Sequence, residues 1–551
     1  MTDEAQKSRR KRSAFVVLVI AILVMPWLGP GPLLAALVLA AALIGMPLFA
    51  LVGTVTIACF LLFTQDKEGL EDLVNLVERI NELGDTENLL AVPLFMLSGS
   101  IMARGEISSR LIDFSKAMIG WLPGGLAVSA VVACMLFAAI SGSSPATVVA
   151  IGAFMAPTLI KNGYKEEFAH GLLTSSGSLG ILIPPSIPMI LYPLINQRAG
   201  IETSRLFAAG FGPGLVIGGI LAGYCIYRGI VGNSKRQPFS LKVLGEAFVD
   251  GFWSLLFPLL ILGGIYTGFF TVVEASGISV VYAIAVEVYI HRALELKEIP
   301  KIVQETGVIL GSLLVIMVAA LAFSEFLHLE RIPDVAVEWI QSLNLSPIAF
   351  LLILNLLLLV VGTLMDILSA MFLFVPLLAP IAESMGVDPM HFGIIFIVNL
   401  EIGYLTPPVG LNLFVASTLF NKPLGHMIRS VGPFIGLMFI GLMLITYFPA
   451  LSVGLGNIIT GDTEPETTAP SDPGQPLPDL PDDEMPSMDD MMDEADLEDG
   501  DEGVQSMEEM MQELEGLDAD GEEDPGAEAP APREPDRVMT MEEMMEAADV
   551  E

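Results

Sequence analysis

The sequence predicts an all-α polytopic membrane protein made of two inverted repeats, each a re-entrant helical hairpin followed by a broken helix, with a disordered acidic tail. Three observations predict it. The 551 residues are 53% hydrophobic with a mean hydropathy of +0.66, far above a soluble chain. Three landmarks recur at one offset: Pro157 and Pro380, Gly163 and Gly386, and Pro184 and Pro407 each stand 223 positions apart. And each copy carries helix breakers inside an apolar background.

The first copy reads Ser141-Gly142-Ser143-Ser144-Pro145-Ala146-Thr147, an apolar run to Pro157, an elbow at Gly163, then Gly177 to Ser186 with Pro184-Pro185 inside. The second reads Gly362-Thr363-Leu364-Met365-Asp366, an apolar run to Pro380, an elbow at Gly386, then Gly403-Tyr404-Leu405-Thr406-Pro407-Pro408-Val409-Gly410. In hydrocarbon an unpaired backbone group costs several kcal/mol, so broken helices persist only where protein or a watery cavity satisfies them. A proline kink would explain one break. Four breaks matched in pairs point instead to the binding site of a secondary transporter, where freed carbonyls hold a cation and helix N-termini hold a carboxylate.

In chain order, residues 1–32 hold a basic cluster (Lys7, Arg9, Arg10, Lys11, Arg12) and an extra span over 14–28. No Ala-x-Ala-like site follows that span, so it reads as an uncleaved anchor with a cytoplasmic N-terminus. Residues 33–88 give a scaffold helix over 33–63, one long kinked helix or two short ones divided at Gly45-Met46-Pro47, and a polar connection. The first repeat is 89–200. It opens with an apolar helix and an amphipathic one over 107–119, whose Ile107, Leu111, Phe114 and Met118 share a face. Its counterpart over 332–343 aligns Val335, Trp339 and Leu343; such helices either brace a moving domain or simply connect. Arms over 124–140 and 145–160 are too short and closely joined to be two comfortable spans, so they read as a hairpin ending inside the membrane. A span over 168–195 follows, broken at 180–185. Residues 201–306 are central scaffold helices, with basic residues Arg228, Lys235, Arg236 and Lys242 between the first two. The second repeat, 307–425, has arms over 348–361 and 367–381, a tip at 362–366 and a span over 392–419 broken at 403–410. The last helix occupies 426–460.

Charge separates the tail from the rest. Residues 461–551 hold 34 acidic and 2 basic residues, leaving 30 against 24 elsewhere, so most of the net −38 lies in the tail. Nucleic acid is excluded as a partner. The tail composition cannot bury a core and reads as disordered. It repeats a methionine pattern at 488–492, 507–511 and 541–545, at helical i, i+3, i+4 spacing. Either these are docking motifs for an unknown tail-binding partner or the tail is an acidic solubilising segment. Cys59, Cys134 and Cys225 lie in apolar runs with no disulfide or zinc spacing, and read as packing residues.

The candidate site follows from the breaks. Sodium is a hard cation that takes oxygen ligands, which hydroxyls and unwound carbonyls supply without a buried fixed charge. In the first copy these are Ser141, Gly142, Ser143, Ser144, Thr147, Ser178 and Gly180, with Ser175 and Ser176 beside them. In the second they are Gly362, Thr363, Asp366, Thr406 and Gly410, with Ser369 beside them. Sodium is the only metal expected, acting as coupling ion, and no other cofactor is. Substrate is expected between the two, at Pro184, Pro185, Ser186, Asn399, Pro407, Pro408 and Asn412. Intramembrane acids are functional candidates by default; Glu274, Glu287, Glu325 and Glu401 qualify, with Asp366 and then Glu401 ranked first. Asn399 and Asn412 bracket the second break and are placed to pin it. There is no P-loop, HExxH or GxGD motif, and a serine nucleophile at Ser143 would need a base, with His170 remote in sequence. The chain does not read as an enzyme.

These stretches, SGSSPATVVAIGAFMAPTLIKNGY, GILIPPSIPMILY, MDILSAMFLFVPLLAPIAESMGVDPMHFGII and NLEIGYLTPPVGLNLFVAS above all, resemble the large membrane subunit (DctM type) of the tripartite ATP-independent periplasmic (TRAP) transporters. The resemblance runs from about Leu89 to Ala450. It implies sodium-driven import of organic acid anions, often C4-dicarboxylates, across the bacterial inner membrane by an elevator-type fold. It also implies two partners: a small four-helix membrane subunit (DctQ type) and a periplasmic substrate-binding protein (DctP type). The family's usual Thr-Pro-Thr-Glu-Ala appears as Thr271-Val272-Val273-Glu274-Ala275, and the extra span and acidic tail are not typical. Two other classes stay open on the residues alone: a stand-alone sodium–anion elevator and a non-transporting membrane scaffold. An even number of crossings would place the tail in the cytoplasm.

Overall fold

A computed structural model describes residues 46, 48–63, 86–232 and 238–460. The extra span over 14–28, the N-terminal basic cluster, most of the polar connection, Lys235, Arg236 and the acidic tail with its methionine groups lie outside the described residues. The described residues are helical, with no strand among them. Seven helices among them are long and apolar enough to cross a membrane, and two bent pairs also pass that test.

After α1 (Leu48–Phe63), the first repeat comprises α2 (Ala91–Arg104), α3 (Ile107–Ile119), α4 (Gly125–Ser141), α5 (Ser144–Lys161), α6 (Glu166–Gly177) and α7 (Ile187–Ile195). The centre holds α8 (Thr203–Val231), α9 (Leu241–Asp250), α10 (Phe252–Tyr266) and α11 (Val272–Ile284), the last continuing as a π-turn over Ala285–Ile290. The second repeat comprises α12 (Ile299–Leu329), α13 (Ile332–Ser342), α14 (Pro347–Leu364), α15 (Ile367–Ser384), α16 (Pro389–Gly403) and α17 (Leu411–Leu419). The chain continues through α18 (Leu424–Tyr447) and α19 (Val453–Thr460). The order hairpin, broken span, long helix thus occurs twice.

Both hairpins form, but arm length is not what makes them re-entrant. Arms α5, α14 and α15 each have 18 residues, about 27 Å at 1.5 Å per residue, close to a bilayer's hydrocarbon thickness. What marks the first tip as internal is its burial. Ser141 is 4% exposed and Ser144 and Thr147 are wholly buried, whereas a turn in water would show its polar residues. Only Gly142 and Ser143 separate α4 from α5, and Gly142 takes φ +57°, a left-handed conformation that glycine adopts without a Cβ penalty. The second tip is tighter than its sequence suggests. Helix α14 continues through Gly362, Thr363 and Leu364, leaving only Met365 and Asp366 as the turn. It can do so because Asp366 starts the next helix at once, its carboxylate accepting the Ser369 N–H at 3.0 Å.

Both spans break where expected. After α6 the chain tightens into a 3₁₀ turn over Ser178–Ile181 and resumes helix only at Ile187. After α16 it unwinds from Tyr404 to Gly410, where φ is +49°. Pro184-Pro185 and Pro407-Pro408 are both cis. The largest buried rings of the core include Phe137, Phe207, Phe392, Phe396 and Phe434; the first break is buried throughout, while Pro407, Pro408 and Val409 of the second are exposed. The three cysteines are buried and free.

The two amphipathic helices differ. Helix α3 bends 71° from α2 and packs onto the core through Ile107, Leu111 and Ile112. Glu287 fastens its start. Wholly buried, it accepts the backbone N–H groups of Glu106 at 3.1 Å and Ile107 at 3.2 Å, two donors a helix N-terminus leaves unpaired. The matching face of α13 is open, with Val335 60% and Trp339 62% exposed. Glu274 is engaged within its own helix. It closes a capping box at the start of α11, taking the Thr271 N–H at 2.8 Å while Thr271 accepts the Glu274 N–H at 3.2 Å. Its partner atoms are exposed, and a local cap accounts for it. Thr271→Ala should therefore cost about 1 kcal/mol of stability and leave uptake per folded molecule unchanged. Thermal unfolding alongside vesicle uptake tests this, and lost uptake at wild-type stability would contradict it.

Candidate ion and substrate site

The first hairpin tip docks on the first break. Ser141 Oγ lies 3.0 Å from Thr147 Oγ1, and Thr147 donates to the Ser143 carbonyl at 2.9 Å. The Ser141 hydroxyl and the Ser143 carbonyl are 3.3 Å apart. Three oxygens are thus held within one turn. Gly180 packs against them from the broken span. A β-carbon there would stand 2.6 Å from the Ser143 carbonyl oxygen and 2.7 Å from Thr147 Oγ1. A β-carbon at Gly142 would likewise meet the Pro185 carbonyl at 2.7 Å. Ser141, Gly142, Ser143, Thr147, Gly180 and Pro185 are therefore brought together, with no room for a side chain between tip and break. Ser186 is buried too, its hydroxyl returned to the Ile181 carbonyl at 2.6 Å.

The second tip docks on the second break in the same manner. A β-carbon at Gly403 would lie 2.5 Å from the Gly362 carbonyl carbon, and one at Gly362 would lie 3.1 Å from the Gly403 Cα. The Val409 N–H donates to the Thr363 carbonyl at 3.1 Å, and the Tyr404 hydroxyl accepts the Ile367 N–H at 2.8 Å. Thr406 donates back to the Ile402 carbonyl at 2.9 Å. Asp366 stands at the turn, holding both the Ser369 N–H and its hydroxyl. No sequence spacing announces the role of Tyr404, because its partner belongs to the facing hairpin.

The two prolyl segments are not equivalent. Pro184, Pro185 and Ser186 are buried, while Pro407 and Pro408 are exposed. Beside the second tip a cavity of 490 Å³ is lined by Leu359, Thr363, Ile402, Thr406, Pro407 and Phe439 among others. It gathers three predicted residues and is mostly apolar. Asn399 lies apart from it. Wholly buried, its amide donates to Asn355 Oδ1 at 2.7 Å and to the Ile395 carbonyl at 2.8 Å, and Asn355 donates on to Thr446 at 3.1 Å. That ladder ties α16 to α14 and α18 rather than pinning the unwound segment.

Asn412 crosses between the repeats. Its amide nitrogen reaches Ser144 Oγ at 2.5 Å and Ser178 Oγ at 3.0 Å. Ser144 in turn donates to Glu401 Oε1 at 3.2 Å. His170 is engaged elsewhere, with Nδ1 3.3 Å from His426 Nε2 and its ring stacked on Phe420. At the polar base of the same helix, Glu166 meets Lys422 at 2.8 Å, and this hydrogen bond holds its carboxyl below the ordinary range. A serine nucleophile with a histidine base is therefore not assembled at the tip.

Residues 33–451 match the family model described as the tripartite ATP-independent periplasmic transporter, DctM component. The match begins well before Leu89, so the scaffold segment belongs to the same unit. The chain is 42% identical over 411 residues to the C4-dicarboxylate TRAP transporter large permease protein DctM of Pseudomonas aeruginosa, covering 74% of this chain and 92% of that one. It is 33% identical over 419 residues to the ectoine TRAP transporter large permease protein TeaC of Halomonas elongata, covering 76% and 96%. It is 38% identical over 371 residues to the isethionate TRAP transporter permease protein DctMQ of Oleidesulfovibrio alaskensis, covering 67% and 58%. The fold is similar to that of the YdaH transporter of Alcanivorax borkumensis, with a TM-score of 0.55 at 14% identity over 74% of this chain and 98% of that one. With paired hairpins docked on paired breaks and a family match over most of its length, this chain belongs to the DctM component family of tripartite ATP-independent periplasmic transporters, a multi-pass membrane transporter family and not an enzyme class.

Proposed function

We propose that the chain is the large permease subunit of a sodium-coupled, binding-protein-dependent importer of organic acid anions in the bacterial inner membrane. The docking of each hairpin tip onto its broken span carries the reading. Ser141, Gly142, Ser143, Thr147 and Gly180 would offer oxygens to one sodium, and Gly362, Thr363, Asp366, Thr406 and Gly410 to a second. Substrate would sit between them, towards Pro184–Ser186 and the open Pro407-Pro408 segment. The N-termini of α5, α7 and α17 converge on this region and suit a carboxylate.

A small four-helix subunit of the DctQ type and a periplasmic binding protein of the DctP type would complete the transporter. That DctMQ is the name of one relative supports the first of these. The N-terminal basic cluster favours a cytoplasmic N-terminus, and an even number of crossings would put the tail on the same side. C4-dicarboxylates lead the substrate classes because the Pseudomonas aeruginosa relative is named for them.

The test is uptake of labelled succinate into proteoliposomes holding the full chain with both partner subunits. Uptake should require an inward sodium gradient and vanish when choline replaces sodium. Sodium-independent uptake would overturn the coupling. Uptake without the binding protein would favour a stand-alone symporter. Ser143 gives the cleaner substitution at the tip, since it is half-buried while Ser144 is enclosed. Ser143→Trp should abolish uptake with folding retained, and normal uptake would remove the first tip from the ion path.

A further inference from the structure

Four segments distant in sequence meet at Glu401. It lies two residues before the second break, and Ser144 is the first residue of α5. Ser178 opens the 3₁₀ turn of the first break, and Asn412 lies in the first turn of α17. All four side chains are 0% exposed. Their hydrogen bonds run in one direction: Asn412 donates to Ser144 and Ser178, and Ser144 donates to Glu401 Oε1. Two acceptors are left over, because Glu401 Oε2 and Asn412 Oδ1 are buried with no donor among the described residues. Among those residues no lysine, arginine or histidine is bonded to any of the four.

A carboxylate in this position is costly unless a positive charge meets it. The described residues supply no such charge, but they supply further oxygens: two hydroxyls beside the carboxylate and, in the same cluster, an amide carbonyl without a donor. That is a hard-cation ligand set. One fixed negative charge balances a monovalent ion, while a divalent ion would leave a buried excess charge. A proton would need a single acceptor and would not use oxygens drawn from four segments.

We propose that Glu401, Ser144, Ser178 and Asn412 form a sodium site at the junction of the two repeats, with Glu401 as its only charged ligand. It differs from the two tip sites in where its ligands come from: each of those draws on one repeat, and this one on side chains from both. It rests on the sodium-coupled reading above. Occupation would tighten the link that hydrogen bonds already make between hairpin 1 and both broken spans.

The experiment is sodium titration of thermal unfolding on the full chain in detergent, at constant ionic strength with choline, paired with the sodium-to-substrate ratio in proteoliposomes. In E401Q the half-stabilising sodium concentration should rise about tenfold or more, and the ratio should fall by one. Moving the carboxylate across the site in E401Q/N412D should restore both, which a merely misfolded E401Q would not allow. An E401Q titration and ratio identical to wild type would overturn the proposal. So would an unchanged sodium titration with a displaced pH profile, since the group would then carry a proton. An E401Q/N412D chain that folds without recovering sodium stabilisation would overturn it too. If the wild-type chain itself shows no sodium dependence, it is the coupling reading that fails.

Discussion

Replacing Gly180 by alanine is expected to reduce uptake by about tenfold or more, the change that ~1.4 kcal/mol of lost binding produces. The added methyl would enter the contact between the first tip and the first break, 2.6 Å from a backbone carbonyl and 2.7 Å from the Thr147 hydroxyl. Neither can turn aside, because the carbonyl also accepts the Thr147 hydroxyl and lies at a two-residue turn. Overpacking of this kind costs about 1–3 kcal/mol, and here it falls on the oxygens assigned to sodium. The half-saturating sodium concentration should rise as well. Gly219→Ala is the control, since a β-carbon there meets nothing within 4 Å. Wild-type uptake by a folded Gly180→Ala chain would mean that the first tip and break need not touch for transport.

The second large effect is expected at Asp366. This residue both caps α15 and places a carboxylate at the second tip, and two substitutions separate those roles. Alanine removes the cap and should cost about 1 kcal/mol, while asparagine caps as well as aspartate does. Asp366→Asn should therefore unfold at the wild-type temperature and yet transport poorly, with a weaker response to sodium. Asp366→Ala should lose both stability and uptake. If the asparagine chain transports normally, the carboxylate serves the helix start alone.

The acids show how far a sequence reaches. Glu274, Glu287 and Glu401 are alike in sequence, each an acid in an apolar run. The fold sends Glu274 to a cap on its own helix and Glu287 to the start of a helix about 180 residues earlier. Glu401 goes to a junction of both repeats. Glu274 was locally legible, because Thr271 three residues before it spells a capping box. The other two partners lie across the chain. Asn399 and Asn412 flank the same break at similar distance, yet one braces three helices and the other spans the two repeats. Which way each points depends on helix rotation fixed by packing against α14 and α5.

By itself the sequence determined the membrane class, the duplication, both hairpins and the position of the two broken spans. Those features are local: apolar length sets a span, and glycine and proline interrupt a helix wherever they stand, whatever surrounds them. Tertiary structure alone decided that the first prolyl segment is enclosed and the second open. It alone brought Ser144 within reach of Glu401, 257 positions away. The reason is that burial and hydrogen bonding between distant segments depend on how helices cross, and nothing in a neighbouring stretch of chain fixes that angle.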